Sequence, residues 1–156
     1  LATNRTTNIG VIIPSANYVY ISNLLFGLSE VARENGFVIS LFVTSHNKEE
    51  ANKMLEKVIT THVDGAIVFD DELDEKDIAK VSSYNVPTIV INNNITDEKV
   101  GCVYFGYEHL LKKIIANVLT RKNSKPIYFL QVENGGRLIN RIEEACAEVH
   151  ELLNKN

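Results

Sequence analysis

The side chains that could do chemistry sort into a few groups. His46, His62, His109 and His150 have no metal-ligand spacing among themselves or with Cys102 and Cys146. The two cysteines stand far apart beside apolar neighbours, as reduced core thiols do. The acidic runs Asp70-Asp71-Glu72 and Asp74-Glu75-Lys76-Asp77 read as a solvated turn and a helix start. A phosphoacceptor aspartate would need an acidic pair after the first strand, where Pro14-Ser15-Ala16 stands instead, and a lysine at the last strand. There is no G-x-G-x-x-G, no Walker loop and no G-x-S-x-G elbow. The sequence therefore predicts a non-enzyme, with no catalytic residue, metal ligand or cofactor. What remains is chemistry for binding: Ser15, Tyr18, Tyr20, Asp70, Asn92, Asn93 and Arg137 offer hydroxyls, aromatic faces, a carboxylate, amides and a guanidinium. That set suits a small polar ligand. Each also has a plainer reading. The tyrosines can simply pack at the top of a helix, Asn92 to Asn94 can form a turn, Arg137 can pair with Glu133, and Asp70 can be solvated.

The elements that would position these residues alternate from end to end. Ile9 to Ile13 reads as a buried strand stopped by Pro14. Ile21, Leu24, Leu25, Leu28 and Val31 follow at helical spacing, ended by Asn35-Gly36. Val38 to Val43 is a second buried strand. Asn47 and Glu50 then suggest a capping box before the stripe Ala51, Met54, Leu55, Val58 and Ile59. Ala66 to Phe69 is the third strand, Leu73 to Tyr84 a helix with Ile78 and Val81 inward, and Pro87 to Ile91 the fourth strand. Val100 to Phe105 is a fifth extended piece, and Tyr107 to Leu119 a helix. Ile127 to Val132 is a further strand, and Arg137 to Leu153 a last helix with Ile142, Ala145, Cys146, Val149 and Leu152 on one side.

Strand runs alternating with amphipathic helices predict an α/β fold: an open parallel sheet with helices on both faces. Ligands of such sheets sit outside the carboxyl ends of the strands. Five segments qualify: Ser15 to Tyr20, Thr44 to Asn47, Asp70 to Glu72, Asn92 to Asn94 and Glu133 to Arg137. The binding residues above all lie in them.

The bulk numbers agree with a soluble domain. The chain has 156 residues, is 45% hydrophobic and 23% charged, and carries a formal net charge of −4 with its Lys and Arg scattered. No basic patch marks nucleic-acid contact in this segment. No run approaches the roughly 18 apolar residues of a membrane span. Leu1 to Asn8 has no apolar signal region, so a cytoplasmic location is expected.

Pro14-Ser15-Ala16-Asn17-Tyr18-Val19-Tyr20-Ile21, followed by Leu24-Leu25-Phe26-Gly27-Leu28, resembles the LacI/GalR family of transcription regulators. Further resemblances come in the family's order. They are Glu34-Asn35-Gly36-Phe37, Val63-Asp64-Gly65-Ala66-Ile67 and Val86-Pro87-Thr88-Ile89-Val90. Leu1 to Thr7 resembles the end of the hinge segment, as in catabolite control proteins.

The resemblance implies a periplasmic-binding-protein-like sensor. Residues 1–8 would end the hinge, 9–122 form the N-terminal lobe, and 123–156 begin an incomplete second lobe. It implies a small-molecule effector, sugar or related metabolite, held in a cleft by Ser15, Tyr18, Tyr20, Asp70, Asn92, Asn93 and Arg137. It implies a homodimer, DNA contact only through a headpiece outside this segment, and no membrane partner. Gly106, where the family usually has aspartate, argues against a plain sugar effector, and Asn140-Arg141 stand in place of a glycine and an aromatic. Two rivals stand beside this reading: a periplasmic sugar-binding transport component and a flavodoxin-like or receiver-like domain. An uncovered stripe of Ile142, Val149 and Leu152 on the last helix would favour association.

Overall fold

Short apolar runs bounded by turn residues become five parallel strands. The computed structural model describes residues 6–93, 95, 97–104, 106–121, 128, 130 and 136–154, without the side chains of 107, 108, 136–139, 141, 153 and 154. The strands are β1 (Asn8–Ile13), β2 (Val38–Val43), β3 (Gly65–Val68), β4 (Thr88–Ile91) and β5 (Val100–Val103). The helices are α1 (Val19–Glu34), α2 (Lys48–Thr60), α3 (Glu75–Ser83), α4 (Tyr107–Leu119) and α5 (Gly136–Asn154). The chain divides into two units, Leu1–Tyr104 and Phe105–Asn156, so α4 groups with α5 rather than with the sheet.

In the first unit the strand order is β2-β1-β3-β4-β5, all parallel. The chain runs from β1 outward to β2, then crosses back to add β3 on the other side. The order therefore reverses between β1 and β3, which is where an open α/β sheet leaves a crevice at its carboxyl edge. Register brings the strand ends level: Ile13 pairs Val43, Ile12 pairs Val68, and Ile91 pairs Val103.

Alternation along each strand feeds two cores. Ile12, Ala66, Val68 and Val90 meet Ala51, Leu55 and Val58 of α2 and Ile78 and Val81 of α3. Val11 and Ile13 meet Ile21, Leu25 and Leu28 of α1 on the opposite face. Helix ends follow their signals. Gly36 takes φ 76 just past α1, a conformation that a Cβ would strain. The Asn47 side chain accepts from Glu50 N–H at 3.0 Å to start α2, while the Glu50 carboxylate turns to Lys53, so half of the expected box forms. Asp74 starts α3 with a complete box closed by Asp77.

Three packing expectations change. Val31 lies exposed although it shares the helical period, because the buried stripe of α1 runs through Ile21, Leu25 and Leu28 and Val31 sits at its flank. β2 is an edge strand, not a buried one, and Leu41 keeps 48% of its surface. In the second unit α4 and α5 pack on each other with Ile115, Ala145 and Val149 buried, and Lys112 pairs Glu148. Val149 is therefore covered, while Leu152 stays exposed. The strand expected over Ile127 to Val132 lies largely outside the described residues.

Candidate functional site

Pro14 ends β1 and turns the chain out over the carboxyl edge. Ser15 Oγ accepts from Asn17 N–H at 3.2 Å, closing a short turn that delivers Tyr18 to the start of α1. Tyr18 is the residue just before that helix and has no side-chain cap bond. Tyr20 follows in the first turn. Their rings stack with centroids 5.6 Å apart and planes 20° off parallel. Tyr20 meets Phe69, which follows β3, edge to face at 5.9 Å. Tyr18 meets His46, from the loop after β2, edge to face at 5.8 Å, and its hydroxyl lies 3.3 Å from Nε2. A row His46–Tyr18–Tyr20–Phe69 thus spans the loops after three strands. The tyrosines remain 43% and 57% exposed, so each offers surface to a ligand.

Directly after Phe69 in the chain stands a braced carboxylate. Asp70 is only 6% exposed. Its Oδ2 accepts from the Thr44 hydroxyl and its Oδ1 accepts from Glu72 N–H at 2.8 Å. Buried carboxylates persist where such donors replace water. Among the described residues, no buried side-chain nitrogen or oxygen lacks a partner. Asp70 here ties the loop after β2 to the loop after β3. Burial first, then the neighbouring Tyr18, then Asp71, push the Tyr20 hydroxyl above the ordinary tyrosine range.

The far side of the edge is amide-rich. Asn92 takes φ 62 at the end of β4 and donates its N–H to Val103 O at 2.7 Å, holding the turn against β5. Asn93 is buried beside it. Asn94 lies outside the described residues.

Ser15, Tyr18, Tyr20, Asp70, Asn92 and Asn93 therefore share one edge of one sheet. Arg137 lies in the first turn of α5, in the other unit, and its side chain is outside the described residues. The loop Thr44 to Asn47 is one of the five strand-end segments, but His46 is not among the seven binding candidates. The signal in the sequence is its place directly after a strand.

The chain is similar to known proteins over most of its length. The family model for periplasmic binding proteins and the sugar-binding domain of the LacI family matches residues 6–144. The catabolite control protein A of Staphylococcus aureus (strain Mu50 / ATCC 700699) is 25% identical over 156 residues, covering 100% of this chain and 46% of that protein. The chain thus spans about half the length of the curated relatives it matches. A sugar-binding transcriptional regulator of the LacI family from Escherichia coli, solved with phosphate, superposes with a TM-score of 0.81 at 17% identity, over 96% of this chain and 55% of that one. The lac repressor dimer bound to operator and an anti-inducer superposes with a TM-score of 0.73 at 17% identity, over 98% and 54%.

Proposed function

The chain belongs to the family of periplasmic binding proteins and LacI-type sugar-binding domains, and from that premise we propose that it senses a small effector for a transcription regulator. The carboxyl edge of the Leu1–Tyr104 sheet forms a wall of the effector site. Ser15, Tyr18, Tyr20, Asn92 and Asn93 line the wall. Asp70 ties two of its loops together, and Arg137, whose forked guanidinium suits a hydroxyl or carboxylate, is a separate candidate for effector contact. The observation that carries this reading is the convergence of loops from three strands on one aromatic row at the reversal of strand order.

No bond is made or broken. Effector binds one arrangement of the protein better than another and so shifts their populations. That difference in affinity, usually about 1–3 kcal/mol, is all that can be passed to a distant site. The distant site is a DNA-binding headpiece acting through a dimer. Exposed apolar side chains on β2 (Leu41, Val43) and α1 (Phe26, Val31) offer a face for a second copy. Light scattering that finds a monomer at high micromolar concentration would remove the dimer from this proposal.

The test is a thermal-shift screen of the full-length regulator against sugars, sugar phosphates and nucleobases, repeated with Tyr18→Ala and Arg137→Ala. One class should raise the melting temperature, and the shift should shrink in both variants. A confirmed effector whose affinity is untouched by either change would overturn the site.

A further inference from the structure

Ser45 and His46 are consecutive non-glycine residues in the left-handed region, with φ 55 and 56. L-residues visit that region singly rather than in succession, because Cβ crowds the following carbonyl. Such strain survives only where the surroundings over-determine it, and it gathers at binding sites. Here the loop is pinned on both sides by its neighbours. Asn47 N–H donates to Thr44 O at 3.2 Å, the Thr44 hydroxyl donates to buried Asp70, and Asn47 caps α2. None of these bonds uses the His46 ring. The ring instead stands against Tyr18, which has no capping bond of its own.

We propose that His46 is a positioning residue: the strained Ser45-His46 turn exists to hold the Tyr18 ring in place on the effector wall. This rests on the wall's role given above. In the tautomer that protonates Nδ1, the Tyr18 hydroxyl donates to Nε2 and keeps its lone pairs for the cleft. The wall then presents two stacked aromatic faces and a phenolic acceptor of fixed direction. It favours an effector with a flat apolar face and an N–H or O–H donor at its edge. Without His46, Tyr18 samples other rotamers and that direction is lost.

The test uses the chain labelled with 3-fluorotyrosine and no ligand. The Tyr18 fluorine line is assigned by its disappearance in Tyr18→Phe. His46→Ala and His46→Gly should both shift or broaden the Tyr18 line and leave the Tyr84 line in place. His46→Gln, which can still reach the hydroxyl, should restore it. Glycine alone relieves the backbone, so His46→Gly should melt about 2–4 °C above His46→Ala while losing the same signal. An unmoved Tyr18 line in the Gly and Ala variants would sink the positioning role. A Gly variant that melts no higher than the Ala variant would refute the stored strain. Because no ligand enters, a failed effector screen refutes the wall's function and these readouts do not depend on it.

Discussion

On the α2–α3 side of the sheet the apolar side chains are sealed: Ile12, Leu55, Val58, Val68, Leu73, Ile78 and Val81 are all but inaccessible to water. The helices over them start on fitted caps, and Lys48 pairs Asp77 and Asp74 to join the first turns of α2 and α3. A few residues further along the same strands, the carboxyl edge is built the other way. Its aromatic rings are half exposed, two consecutive residues are left-handed, and α1 starts without a side-chain cap. The difference teaches a division of labour. One side holds the unit together by close packing, and it carries an edge whose local interactions are not at their own optimum. An edge built this way suits the proposed effector site, because the closest packing of the unit lies elsewhere.

Substitutions can break or sharpen that contrast. The largest effect belongs to the sealed side. Leu55→Ala should cost about 2–5 kcal/mol in urea unfolding, from lost burial and the cavity left behind, and a loss under 1 kcal/mol would contradict the sealing described. Thr44→Val joins the two regions. It keeps the volume but strips Asp70 of a donor in a buried place, which should cost about 1–3 kcal/mol. Asp74→Ala removes the α3 cap, worth about 0.5–2 kcal/mol near neutral pH.

The Asp74 effect carries a pH signature. The Asp77 N–H first of all, with Lys48 and Lys76 N–H adding to it and burial opposing it, hold the Asp74 carboxyl below its ordinary value. A lowered carboxylate contributes stability above its unfolded value near 3.8 and loses it as the pH falls through the folded value. The gap between wild type and Asp74→Ala should therefore narrow below about pH 4. A gap constant from pH 7 to pH 3 would refute the capping role.

The open edge should behave differently. Tyr18→Ala should change unfolding stability by no more than about 0.5 kcal/mol, since the ring is half in water, while any effector that binds the wall loses affinity. The smallest effect is confined to alkali. Tyr20 has a raised hydroxyl, so the folded state keeps its proton longer than the unfolded chain does. Stability linked to it is intact below the unfolded value near 10 and drains as the pH climbs through the folded value. Tyr20→Phe should flatten that alkaline decline, which melts taken between pH 9 and 11 would read.

Much of the frame was legible in the residues. The alternation of apolar runs and amphipathic stripes marked all five strands of the sheet, and Gly36 and Asn47 marked helix ends, because these are local effects of backbone geometry. The edge was legible as a set of loops following strands, and six of the seven nominated residues lie on it. The exposure of Val31 was not legible, since helical period says which side a residue is on but not how far the partner surface extends.

The amino-acid order by itself determined the elements, their parallel alternation and the segments that end at the ligand-facing edge. The tertiary structure decided that β2 is an edge, that Asp70 serves as a brace, and that His46 stands against Tyr18. The physical reason is distance along the chain. Thr44 and Asp70 are 26 residues apart, and Tyr18 and His46 are 28 apart. Only the register of strands packed side by side brings such pairs within reach, and no local preference encodes it.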